Sequence, residues 1–117
     1  MERVATKEQK LNRRAWVKAL RSGKYKQCRE ELTNEKQGRF CCLGVACEVL
    51  IRRGYPINKA GESYDNETGE LPDTGMYALG LTEFGHNKLV ELNDEEHRRF
   101  KTIANYIESH SEELFEN

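Results

Sequence analysis

The stretch that decides the fold is Cys41-Cys42-Leu43-Gly44-Val45-Ala46-Cys47-Glu48-Val49-Leu50-Ile51-Arg52-Arg53-Gly54. Leu43, Ala46, Cys47 and Leu50 recur at helical spacing, and Val45 and Val49 widen that stripe over most of the circumference. The spacing therefore predicts a helix over 42–53 that is buried nearly all round, the centre of the molecule. Arg52 and Arg53 in the last turn suit the negative end of its dipole. Gly54 fits the left-handed position after the helix, and Pro56 prevents continuation.

Working outward, residues 6–22 read as a first helix. Thr6 and Gln9 form a capping-box pattern, and Leu11, Ala15, Trp16, Ala19 and Leu20 share one face. Ser22-Gly23 ends it. Residues 24–41 read as a small β-hairpin, with Tyr25–Cys28 and Arg39–Cys41 flanking a polar connection. Residues 55–70 form a polar loop, long enough to be functional or mobile. Pro72 opens a short helix to Leu79 that Gly80 stops. An extended piece is expected near Leu89-Val90. A last helix is expected from Leu92-Asn93-Asp94, with Asn93 as N-cap and Glu96 closing a second capping box. Phe100, Ile103, Ala104 and Ile107 line one of its faces. The segment after Ser109 is expected to fray unless Leu114 and Phe115 dock. The predicted architecture is an α-rich α+β fold in one compact domain, residues 1–117. Its central helix packs against the first and last helices.

Composition sets the outer limits. Apolar residues make up 37% and charged residues 33% of the 117 residues. A chain of that length buries roughly 65% of its unfolded surface, enough for one core. No apolar run approaches a membrane span, and the first residues lack the apolar stretch of a signal peptide. A cytoplasmic protein is expected, with its four cysteines reduced. The net charge of −1 conceals a gradient. Residues 1–60 carry 15 Lys/Arg against 6 Asp/Glu, and residues 61–117 carry 4 against 14. Mutual attraction of the two halves is the favoured reading of that asymmetry. The alternative is a basic patch on the first helix, Arg13, Arg14, Lys18 and Arg21, that meets nucleic acid or an acidic partner.

The cysteines admit three chemistries. A thiol at a helix N-terminus can become a reactive thiolate, which makes Cys41 and Cys42 candidate nucleophiles. His86 is the candidate base, expected in a loop or at a strand end and oriented by Asp65, Asp73 or Asn87. A zinc site is disfavoured because Cys47 belongs to the apolar stripe of the helix and would have to leave it to reach an ion. A Cys28 bridge to Cys41 or Cys42 would need the hairpin and an oxidising compartment. Against all three, small thiols on a helix face commonly just pack. Periodicity ties Cys47 to the core. Trp16 belongs to the first helix's apolar face, which leaves Tyr55 and Tyr64 as the aromatic binding candidates. No phosphate-binding glycine motif is present.

Three segments together resemble a known family. Trp16-Val17-Lys18-Ala19-Leu20-Arg21-Ser22-Gly23-Lys24-Tyr25-Lys26-Gln27, Phe40-Cys41-Cys42-Leu43-Gly44-Val45-Ala46-Cys47-Glu48 and Leu92-Asn93-Asp94 are similar to small uncharacterised proteins of bacteriophage and prophage genomes. The shared pattern is W-x-x-A-L-R-S-G-x-Y-x-Q, C-C-L-G-V-x-C and L-N-D. Ala46 stands where a leucine is commoner, and the 55–70 loop lies outside the pattern. The resemblance implies a phage-encoded or prophage-encoded accessory protein and brings no catalytic residues with it. The leading expectation is a non-enzymatic binding protein in the bacterial host cytosol. It would act on a host protein, including one of the defence apparatus, or on a small ligand, through the first helix and the 55–70 loop. No cofactor and no metal is expected. The alternatives are a thiol enzyme using Cys41 or Cys42 with His86, and nucleic-acid binding through the first helix.

Overall fold

A computed structural model describes residues 5–116. The chain forms helix α1 (Lys7–Arg21), strands β1 (Lys26–Gln27), β2 (Thr33–Asn34) and β3 (Arg39–Phe40), and helix α2 (Cys42–Arg52). Then come β4 (Lys59–Ala60), β5 (Ser63–Tyr64), α3 (Asp73–Leu79), α4 (Glu83–Val90), a π-helical turn (Glu91–Glu95), α5 (Phe100–Ser109) and α6 (Ser111–Leu114). This is an α-rich α+β fold, as the helical periodicities predict.

Helix α1 starts on a complete capping box. The Thr6 hydroxyl accepts from the Gln9 N–H at 3.0 Å, and the Gln9 side chain accepts from the Thr6 N–H at 2.9 Å. Two otherwise orphaned donors are thereby satisfied. Gly23 follows the helix with a φ of 77°, the left-handed conformation that glycine adopts without penalty. Helix α2 is buried from Cys42 through Cys47 and again at Val49 and Leu50. It packs on α1, α3 and α4, whereas α5 lies against α1. The central helix is thus wrapped by α1, α3 and α4, and the long C-terminal helix supports α1 from outside.

Three segments depart from the sequence reading. The hairpin exists, but its partners are β2 and β3, antiparallel with Thr33 opposite Phe40. Strand β1 joins the other edge of β3 in parallel, with Gln27 beside Phe40. Residues 83–90 are helical rather than extended. Thr82 caps them by accepting from the Gly85 N–H at 2.9 Å, and Gly85 lets α4 lie close against Leu114. Leu92-Asn93-Asp94 does not start the last helix. These residues sit in the π-helical turn that prolongs α4, and α5 begins at Phe100 after the extended Arg99.

The 55–70 segment is folded: β4 and β5 pair antiparallel, and Asp65 and Asn66 turn the chain at φ values of 51° and 68°. The C-terminal segment docks. The Leu114 carbonyl accepts from the Thr82 N–H at 3.0 Å, and Phe115 bridges to Leu81. Asn117 lies outside the described residues. Among those described, no helix is long and apolar enough to cross a membrane.

Candidate functional site

The cysteine segment is built as a lock. Cys41 is the N-cap of α2, its sulfur accepting from the Gly44 N–H at 3.4 Å. The Cys42 carbonyl accepts from the indole N–H of Trp16 at 2.9 Å, so the fully buried Trp16 is keyed to the start of α2. Across from it stands Asn93, only 1% exposed. Its Oδ1 accepts from the Cys42 N–H at 3.2 Å and from Gln27 Nε2 at 2.7 Å. Its Nδ2 donates to the Cys28 carbonyl at 2.9 Å and to Asp94 Oδ1 at 2.8 Å. Asp94 Oδ1 in turn accepts from the Glu30 N–H at 2.9 Å, which holds a residue with a φ of 67°. The three segments that carry the family resemblance, distant in sequence, therefore meet around one amide. An amide with all four of its hydrogen bonds made is a buried structural node.

In this arrangement Cys41 and Cys42 are buried thiols at the start of α2. All four cysteines are buried and free. Burial, the largest influence, pushes the Cys28 thiol up to about 11 and the Cys41 thiol up to about 12. Cys42 and Cys47 are raised as well, again chiefly by burial. The helix N-terminus does favour the thiolate at Cys41, through the N–H groups of Gly44 and Leu43, but desolvation outweighs it. His86 is not in a loop or at a strand end, where the sequence reading expects it. It lies on α4, is buried, and its Nε2 accepts from the Leu71 N–H at 3.1 Å. Nδ1 faces Asn87 Oδ1 at 3.2 Å. Both ring nitrogens are occupied, and neither bond reaches a cysteine. Among the described residues no group of three or more His, Cys, Asp or Glu is placed to hold a metal ion.

The two loop tyrosines are both hydrogen-bonded within the fold. Tyr64 is fully buried, and its hydroxyl donates to Oε2 of Glu48 on α2 at 2.7 Å. The same carboxylate pairs with Lys59 Nζ at 2.9 Å. Tyr55 is half-buried, with its hydroxyl between Asn12 Nδ2 at 2.7 Å and Glu8 Oε1 at 3.1 Å. Asn12, wholly buried on α1, completes that network through the Ala78 carbonyl and Arg53 Nε.

The four basic candidates of α1 are brought together. Arg13, Arg14, Lys18 and Arg21, joined by Lys10, line an open groove of about 820 Å³ between α1 and the α5–α6 corner. Their roles differ. Arg13 is half-buried and fixed: Nε donates to the Leu79 carbonyl at 2.6 Å, Nη2 donates to the Glu116 carbonyl at 3.0 Å, and the guanidinium lies 4.2 Å over the Phe115 ring. Arg21 crosses to α5, where it donates to Asn105 Oδ1 at 2.7 Å and pairs with Glu108. That pairing holds the Glu108 carboxyl below its ordinary value and ties the groove's two walls together at one end.

Lys10, Arg14 and Lys18 are exposed. No hydrogen bond or ion pair with any described residue engages their side chains. They are spaced four residues apart and so form one ridge along α1. Val17, Ile107 and Phe115 also line the groove but are themselves nearly closed to solvent, as part of the core. Lys10 belonged to the same legible ridge as Arg14 and Lys18. The contributions of Ile107 and Phe115 come from the long-range packing of α5 and α6 on α1, which no local pattern announces.

A family model, a domain of unknown function (DUF8296), matches residues 8–77, from α1 through most of α3. No curated protein matches the chain, and no solved structure does. The match takes in more than half of the chain, including the ridge of α1 and the whole of α2. The chain belongs to the DUF8296 family of domains of unknown function.

Proposed function

We propose that the protein is a non-enzymatic binding domain that receives an anionic partner in the groove between α1 and α5–α6. One observation carries the reading: three cations, Lys10, Arg14 and Lys18, stand in a row along the groove with no carboxylate of the described residues paired to them. Cations of a folded protein are commonly dispersed among acidic neighbours, and an unpaired row beside an open groove focuses positive potential there. The neutral, buried thiols and the occupied His86 ring favour binding over thiol catalysis. The likeness to phage and prophage proteins supports an accessory role on a host protein in the bacterial cytoplasm.

The test is a comparative capture from bacterial lysate with wild-type protein and the variant Lys10→Glu, Arg14→Glu, Lys18→Glu. All three positions are exposed, so circular dichroism should report an unchanged fold. Wild-type protein is expected to retain a partner whose yield falls as ionic strength rises, and the variant is expected to lose it. Equal retention by both proteins would refute the reading.

A further inference from the structure

We propose a second binding site, a cleft between α1 and the end of α2 that takes the phosphate group of a small phosphate monoester. The cleft is bounded by the C-terminal half of α1, the turn that follows it and the last turn of α2, and its volume is about 250 Å³. It meets the α1/α5–α6 groove only at Lys18 and Ser22, which line both, and its assignment is independent of the reading of that groove.

Charge selects the class of ligand. Lys18 lines the cleft from α1, Lys24 from the following turn and Arg52 from the last turn of α2. All three are exposed, and no hydrogen bond or ion pair with any described residue engages their side chains. Among the described residues no Asp or Glu lines the cleft, whereas Glu108 stands in the first groove. The solvated face of one helix would place its cations along that helix. Here three chain segments bring them to one concavity. Arg53 also lines it, but that guanidinium is held by Asn12 Oδ1 at 2.6 Å and paired with Glu8. The C-terminal dipoles of α1 and α2 oppose an anion by about half a charge each, less than three unpaired cations supply. Their last carbonyls are also capped: Ala19 accepts from the Ser22 N–H, Val49 from the Arg53 N–H and Leu50 from the Tyr55 N–H.

The number of cations selects a phosphate monoester within that class. Such a group carries close to two charges at neutral pH and presents three acceptor oxygens, one for each cation. A carboxylate brings one charge and two oxygens and leaves a cation unmatched. Arg52 offers a planar fork that engages two oxygens, and Lys18 and Lys24 act as point charges. The remainder of the ligand has a surface to lie on. Ala15, Ala19 and Tyr25 line the cleft and are only partly buried, so this apolar surface is open. The Tyr25 ring is fixed edge-to-face against Phe40, with centroids 5.4 Å apart. The volume falls short of the roughly 300–1,000 Å³ of pockets for drug-sized ligands, which suits a single phosphorylated ring. The turn that carries Lys24 is preorganised. Ser22 Oγ donates to the Ala19 carbonyl at 2.6 Å and accepts from the Lys24 N–H at 3.1 Å, which lowers the ordering cost of binding.

The test is an amide-detected NMR titration of the intact protein with phenyl phosphate, benzoate, inorganic phosphate and a short oligodeoxynucleotide that lacks terminal phosphates. Phenyl phosphate is expected to bind with a Kd of about 1 mM or tighter, and benzoate and inorganic phosphate about tenfold more weakly. The shifted amides should cluster at Ala19, Lys24 and Arg52. The double variant Lys24→Ala, Arg52→Ala should weaken phenyl phosphate about tenfold or more. Lys10→Ala, Arg14→Ala, which alters the first groove alone, should leave it within about twofold. All four positions are exposed, and the spectra themselves report that each variant is folded. Absence of binding by phenyl phosphate would overturn the proposal. So would equal affinity for benzoate, because the cleft would then read charge without a phosphate. Equal affinity for inorganic phosphate would overturn the ester, since the surface at Tyr25 would contribute nothing. Equal weakening by the two double variants would overturn the placement. Tighter binding of the oligodeoxynucleotide at the same amides would overturn the small ligand in favour of a nucleic-acid strand. The charge-dependent capture from lysate tests the first groove separately, so either reading fails without the other.

Discussion

Replacing Gly44 with alanine is expected to destabilise the protein by about 3–5 kcal/mol, enough to unfold a large share of it. The sign is opposite to the usual one, since alanine in a helix interior is ordinarily about 1 kcal/mol better than glycine. Here a Cβ at position 44 would lie 1.8 Å from the Leu32 carbonyl oxygen and 2.8 Å from its carbon. Backbone would meet backbone, and the Leu32 side cannot yield. Its carbonyl accepts from the Cys41 N–H at 3.0 Å, its N–H donates to the Thr68 carbonyl at 2.7 Å, and its side chain is fully buried. Relief would require α2 to move away from the segment that precedes β2, opening the middle of the core. Gly69→Ala is the control. An added Cβ there meets nothing within 4 Å, and the residue is outside the left-handed region. Urea unfolding should show Gly69→Ala within about 0.5 kcal/mol of wild type. Equal midpoints for the two variants would show that α2 does not press on Leu32.

The second large effect is expected at Asn93. Asn93→Ala removes both ends of the amide that joins β1, the start of α2 and the π-helical turn. The Cys42 N–H and the Cys28 carbonyl lose these partners inside the protein. Each buried backbone group so abandoned costs about 1–3 kcal/mol, giving an expected loss of about 3–5 kcal/mol. Asn93→Asp separates hydrogen bonding from packing. The shape is nearly kept, but the Nδ2 donor becomes an acceptor facing the Cys28 carbonyl and Asp94 Oδ1. A loss of similar size is expected at neutral pH. A change below about 1 kcal/mol in both variants, measured by denaturant unfolding, would contradict the account of Asn93 as a node.

Much of this architecture is legible in the sequence, and the exceptions share a cause. Helix α1 announces itself by burial at the helical period and a capping box, and α2 by a nearly continuous apolar run closed by Gly54. Helix α4 does not. Its buried residues are Gly85, His86 and Leu89, while Phe84 is largely exposed, so its stripe contains a single large apolar side chain. What holds it is close approach: a Cβ at Gly85 would fall 2.2 Å from the Leu114 carbonyl oxygen. The parallel pairing of β1 with β3 is a long-range choice, invisible in a segment that reads locally as a hairpin. Asn93 was singled out by its capping-box spacing. The spacing is real, but the amide is spent on Cys42 and Cys28 rather than on the helix that follows. Tyr64 and His86 looked available because each sits in a polar stretch of sequence, and both are buried by contacts with remote elements. The exposure of Arg14 and Lys18, by contrast, follows directly from the period of one regular helix.

The central claim is that the cysteine segment is a structural lock. Iodoacetamide labelling of the native protein at pH 6, read cysteine by cysteine by mass spectrometry, tests it most directly. Folded protein is expected to leave Cys28, Cys41, Cys42 and Cys47 unmodified. All four should be labelled once the chain is unfolded in guanidinium and returned to a pH that supports the thiolate. Selective labelling of Cys41 or Cys42 in the folded protein at pH 6 would contradict the account, because it would require a low-pKa, accessible thiolate where the structure places a buried neutral cap.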